Sequence, residues 1–142
     1  MNAEWSELNR LTKRQEAFYH KCAVNAGITD AKFWILYAVC QSGGSLSQSA
    51  ICEDWYFSKQ TVNSAVTGLI QQDRVLSMEF AEGSRKQKEL HLTHKGEAFC
   101  NAYIRPVLKA ECSAISELPP EQRRVFLDAQ EKIIGKLEKE LL

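Results

Sequence analysis

From Ser58 to Thr67 the chain reads SKQTVNSAVT. On a helix with 3.6 residues per turn, Val62, Ala65 or Val66, and Leu69 fall on one face. Lys59, Gln60, Asn63, Ser64 and Thr67 then fall on the other, with Thr61 in the first turn. The outward set consists of short and medium hydrogen-bonding side chains. Gln and Asn pair bidentately with an adenine edge, and Lys reaches guanine. Ser58 suits the N-cap, and the free N–H groups of a helix N-terminus suit phosphate. A solvated surface helix shows the same polarity, so a second element has to support the reading. It lies downstream, where Arg85, Lys86 and Lys88 crowd one loop. Cations there would hold a nucleic-acid backbone or enter a minor groove while the helix reads base edges. Without a partner, the same loop is a charged turn that resists edge pairing.

The elements that would position these residues follow from periodicity. Residues 4–26 have Leu8, Leu11, Phe18, Cys22 and Ala26 at helical steps, ending at Gly27. A second helix enters through Thr29 or Asp30 and closes at Gly43 and Gly44. Its middle, FWILYAVC, is apolar nearly all round, which predicts a buried central helix. LSQSAICEDWYF predicts a short helix with Leu46, Ile51 and Trp55 inward. The Ser58 helix comes next. VLSMEF and KELHL alternate and predict a two-stranded hairpin that turns at Gly83. A long helix starts at Thr93 and should kink at Pro106. A last helix has Pro120 in its first turn and a stripe of Phe126, Ile133, Leu137 and Leu141. The expected fold is mostly α with a small β-hairpin wing: a winged helix-turn-helix flanked by N- and C-terminal helices.

A length of 142 residues suits one domain or one subunit of a small oligomer. No apolar run is long enough to cross a bilayer. The first residues, MNAEWSELNR, lack the apolar region of a signal peptide. Five scattered cysteines form neither a disulfide framework nor a zinc ribbon, so a cytoplasmic protein with reduced thiols is expected. Zero net charge is a mild argument against a phosphate-binding surface, although a local basic face can hide in a neutral total. No Gly-rich phosphate loop, nucleophile elbow or His-Glu-x-x-His motif points to an enzyme. His91 and His94 have no cysteine or acid at ligand spacing, so neither a metal site nor a cofactor is expected.

With these pieces in order, the chain resembles the MarR family of bacterial transcriptional regulators over nearly its whole length. The residues that carry the resemblance are SKQTVNSAVTGLIQQDRV, SRKQKELHLTHKG and GITDAKFWILYAV. LTHKG is similar to the family's Leu-Thr-x-x-Gly entry to its long helix. The resemblance implies one subunit over 1–142, with a DNA-binding part over about 30–96. It also implies homodimerisation through the helices of about 1–29 and 97–142. Double-stranded DNA would be the partner, met by Gln48, Ser49, Ser58, Lys59, Gln60, Thr61, Asn63, Ser64, Thr67, Arg85, Lys86 and Lys88. The family often has Asp-x-Arg at the wing tip, whereas Ser84 and Lys86 stand there in this chain, with Arg85 between them. Lysine lacks arginine's planar fork, so either Arg85 or Lys86 is the groove residue.

The resemblance further implies a pocket for a small aromatic or amphipathic effector, and repression that the effector relieves. Phe18, Tyr19, Phe33, Trp34, Tyr37 and Trp55 are the candidate walls, although core packing suits each one singly better than a pocket role does. Some members of the family sense oxidants, and Cys22, one turn from Tyr19, is the most suggestive thiol for that. The rival from a different class is a winged-helix module that binds protein and not DNA. Neutral net charge and Glu79, Glu82 and Glu89 around the wing favour it.

Overall fold

The computed structural model describes residues 1–142. The chain divides into two compact units, Met1–Val107 and Leu108–Leu142. Unit one opens with α1 (Ala3–Ala26), which Asn2 caps and Gly27 ends in the left-handed region. α2 (Asp30–Gln41) follows, and Thr29 is its N-cap, with Oγ1 accepting from the Lys32 N–H at 3.3 Å. The apolar middle of α2 is buried as expected: Phe33, Ile35, Leu36 and Val39 are almost fully enclosed. Ile51, Val62, Leu69, Leu76, Leu90 and Ile104 pack into the same core, in which every buried side chain is apolar.

α3 (Gln48–Trp55) and α4 (Lys59–Gln71) form the helix-turn-helix. α4 is tied to α2 at its far end. The Lys32 ammonium pairs with the Asp73 carboxylate at 2.7 Å, half-buried, and the Lys32 stem runs against Gly68. A Cβ at Gly68 would stand 2.9 Å from the Lys32 Cε. This pair therefore fixes the C-terminal end of α4.

The sheet departs from the sequence expectation. β2 (Leu76–Phe80) and β3 (Lys88–Leu92) make the predicted hairpin, but β1 (Ser45–Ser47) adds a third strand. The order is β1-β3-β2, antiparallel throughout, with Leu46 opposite Leu90 and Met78 opposite Leu90. A three-residue strand is too short to show alternation; the open edge of β3 creates it. Leu76 and Leu90 reach the core, whereas Met78 and Phe80 are exposed because the hairpin projects beyond it.

α5 (His94–Tyr103) and α6 (Arg105–Ser116) divide at Ile104. Pro106 has no N–H to donate, and the long helix expected from the sequence breaks there, as proline dictates. α5 begins with a dense join. Thr93 Oγ1 accepts from the Gly96 N–H at 3.0 Å and donates to the Arg74 carbonyl at 2.7 Å. The Thr93 N–H donates to the Val75 carbonyl at 3.1 Å.

In unit two, α7 (Pro120–Leu141) starts with Pro120 in its first turn and has no buried residue. Val125 is 69% exposed and Phe126 58%. No helix of the chain is long and apolar enough to cross a membrane.

Candidate nucleic-acid interface

α4 presents the face that the sequence predicts. Val62, Ala65, Val66 and Leu69 are buried, while Lys59, Gln60, Thr61, Asn63, Ser64 and Thr67 are exposed. Gln60, Thr61, Asn63, Ser64 and Thr67 also line an open groove of about 1180 Å³ beside Lys32 and Gln71. The helix starts on Ser58, whose hydroxyl oxygen accepts from the Thr61 N–H at 3.1 Å. The Ser58 hydroxyl also donates to Thr61 Oγ1 at 2.8 Å. These two hydroxyls therefore build the N-terminus, and Gln60, Asn63, Ser64 and Thr67 are left to project.

Asn63 does not project alone. The Gln48 side-chain amide donates a short hydrogen bond to Asn63 Oδ1. That bond links α3 to the outer face of α4. Gln48, expected as a phosphate contact from α3, therefore also bonds to a residue of α4. Its neighbour Ser49 is exposed.

The wing tip is built by Ser84. Its hydroxyl accepts from the backbone N–H groups of Lys86 at 3.2 Å and Gln87 at 3.1 Å. Ala81 N–H donates to the Gln87 carbonyl at 2.7 Å and closes the loop. Ser84 thus orders the tip at the position where the family often has aspartate. Arg85 and Lys86 are both exposed there, and Lys88 sits 5.7 Å over the Phe80 ring. The opposite face of the wing is acidic. Glu79 and Glu89 face each other across β2 and β3, a repulsive arrangement. His91 lies beside both, 3.3 Å from Glu89 and 3.9 Å from Glu79.

Sequence reasoning missed Tyr56. This tyrosine ends α3 in the left-handed region, at φ 57°, and is 93% exposed. A residue other than glycine pays strain for that conformation, about 1 kcal/mol or more. Tyr56 lies in the turn between α3 and Ser58, the N-cap of α4. Turn chemistry predicts glycine or asparagine there, so no sequence signal marked it. Tyr56→Gly is expected to stabilise the fold by about 0.5–1 kcal/mol, read as a higher urea midpoint at unchanged m.

The six pocket candidates separate by burial. Phe33 and Tyr37 lie in the core. Tyr19 and Trp34 meet at a tilt, with ring centroids 4.7 Å apart, and line a cleft of about 450 Å³, with Thr12, Gln15, His20 and Asp30. His20 Nδ1 meets Asp30 at 2.9 Å at its rim. Trp55 packs against Trp34 and Tyr37, and Phe18 is half exposed. No group of three or more His, Cys, Asp or Glu side chains is arranged to hold a metal ion.

A polar helix behind a helix turn, with a basic wing tip beyond it, defines the winged helix-turn-helix class. Residues 26–75 match the sequence model of the MarR family. Over those residues, the chain is similar to that family. Among solved structures, a MarR family regulator from Neisseria meningitidis is similar at 23% identity, with 99% of each chain covered and a TM-score of 0.73. A MarR family member from Listeria monocytogenes, solved with a 26mer DNA, is 15% identical, with 99% and 92% covered and a TM-score of 0.70. Staphylococcus aureus MarR, solved with salicylate and kanamycin, is 17% identical, with 96% and 91% covered and a TM-score of 0.67. No curated protein matches.

Proposed function

We propose that the protein is a sequence-specific DNA-binding transcriptional regulator. It works as a homodimer that represses by occupying a promoter and is released by a small-molecule effector. The observation that carries the reading is the outer face of α4, where Gln60, Asn63, Ser64 and Thr67 are exposed and Asn63 is bonded to Gln48. The Listeria relative's DNA supports the partner, and the Staphylococcus relative's salicylate supports an aromatic effector. The cleft beside Tyr19 and Trp34 offers such an effector an aromatic wall. The acidic face of the wing favours a second reading, a module that docks protein.

Fluorescence anisotropy separates the two, with DNA from upstream of the protein's own gene and a scrambled duplex, at two salt concentrations. A regulator binds the first selectively and loses affinity with a log–log slope of about −0.9 per phosphate neutralised. Weak binding to both duplexes at low salt would leave the protein-docking module. Within the regulator reading, Asn63→Ala costs about 1–3 kcal/mol on the preferred site and relaxes the preference at its base pair. Lys86→Ala and Tyr56→Gly weaken all sequences alike. Unchanged binding in all three would remove the site assignment.

A further inference from the structure

A second cavity lies in unit one, where the end of α1 meets α2, the end of α4 and the start of α5. It measures about 230 Å³ and shares no lining residue with the cleft beside Tyr19 and Trp34. Its walls are Ala26, Ile28, Leu36, Leu69, Val75 and Phe99, aliphatic except for the last. Leu36 and Leu69 are fully enclosed and Val75 nearly so, while Ala26, Ile28 and Phe99 are half-buried.

The backbone around these walls has its donors committed. The Ile28 N–H donates to the Ala23 carbonyl at 3.1 Å, and the Val75 N–H to the Leu69 carbonyl at 3.0 Å. The N–H groups of Gln72 and Asp73 both go to the Gly68 carbonyl, at 3.0 Å and 2.9 Å. A group buried here has to be apolar, because a polar one would lose water without gaining a partner. The opening is different. Gly27, Gln72 and Lys95 are exposed and form its rim. Lys95 joins no ion pair, and it stands in the first turn of α5, where the helix dipole adds a positive field. The acids around it are already answered. Asp73, also at the cavity, is held by Lys32 at 2.7 Å, and Glu97, in the same turn of α5, by Arg105 at 2.9 Å. An aliphatic floor with one unpaired ammonium at the rim fits an amphipathic anion.

We propose that this corner is a binding site for an aliphatic monocarboxylate of medium length, its chain against Leu36, Leu69 and Val75 and its carboxylate at Lys95. Volume sets the length. A cavity of about 150 Å³ lined by Leu, Ile and Phe holds the six carbons of benzene, so this one, at about 230 Å³, holds roughly nine. An occupant touches α2, the end of α4 and the start of α5 together.

The test is titration of the full-length chain with octanoate, followed by calorimetry and by backbone amide chemical shifts. The expected result is one site per chain, with shifts centred on Gly27, Gln72 and Lys95. Affinity should rise about fourfold per methylene from butanoate to octanoate and gain nothing further at dodecanoate. Lys95→Gln should weaken octanoate about tenfold and leave octanol unchanged, a split that loss of the fold would not produce. Ala26→Leu, which fills the cavity, should weaken both. Shifts centred on His20 and Asp30 would put the ligand in the other cleft and overturn the proposal. Absence of saturable binding would overturn it too, as would affinity that keeps climbing through dodecanoate, the behaviour of an open apolar face. The wild-type shift map and the chain-length series decide even if a variant folds poorly. None of these readouts involves DNA, so they stand or fall apart from the regulator reading.

Discussion

Replacing Ile133 and Leu137 of α7 with glutamate is expected to convert dimers to monomers and to lower affinity for a two-half-site operator by about 10²–10⁴-fold. α7 is a 22-residue helix with no buried residue, yet it carries Val125, Phe126, Leu127, Ile133, Ile134, Leu137 and Leu141. Burying one such side chain is worth about 1.5–3 kcal/mol. In the proposed homodimer, a second copy would supply a self-complementary surface for this helix. Four glutamates in the seam of a dimer would each lose hydration without a counter-charge. Because no residue of α7 is fully buried, the substitution should leave the winged helix folded, with the near-ultraviolet circular dichroism of Trp34 and Trp55 retained. Sedimentation velocity reads the association state. A variant that still sediments as a dimer would place the seam elsewhere.

Gly96→Ala should destabilise the winged helix by about 3 kcal/mol or more, beyond the usual cost of a core overpacking. An added Cβ would overlap the Val75 carbonyl oxygen and stand 2.9 Å from the Val75 carbonyl carbon. Both neighbours are backbone and cannot rotate away. The Val75 carbonyl is itself held by the Thr93 N–H, and the Thr93 hydroxyl bonds to the Arg74 carbonyl. Relieving the overlap would break the cap of α5 or pull β2 off the core. Urea denaturation measures the loss. A variant of wild-type stability would mean that the α4–β2 corner yields more easily than its hydrogen bonds suggest. The contact also gives a physical reason for the Thr-x-x-Gly pattern in this chain: the threonine caps, and the glycine lets the capped end touch the preceding corner.

Local features were legible in the sequence because they are written in neighbouring residues. The Ser58 and Thr93 caps, the inward face of α4, the Gly83 turn and the break near Pro106 all stand where residue type and spacing place them. Features that join distant segments were not legible. β1 has three residues and owes its existence to the edge of β3. The Gln48–Asn63 bond and the Lys32–Asp73 pair depend on how helices pack, and no spacing in the chain encodes them. Tyr56 was hidden for a different reason. Its residue type argues against the backbone conformation it adopts, so a local rule fails beside the proposed site, where strain tends to be stored.

The Lys32–Asp73 pair has a mechanical consequence. α2 is a stiff rod: Lys32 near one end grips the far end of α4, and Cys40 stands near the other end. The two residues are separated by about 12 Å at 1.5 Å per residue. A tilt of about 10° around the Cys40 end would sweep the Lys32 end by about 2 Å. Side chains placed for recognition need a tolerance nearer 0.5 Å. A small rotation at one end of α2, well away from the polar face of α4, is thus geared up into a displacement that the Gln60 and Asn63 amides could not absorb.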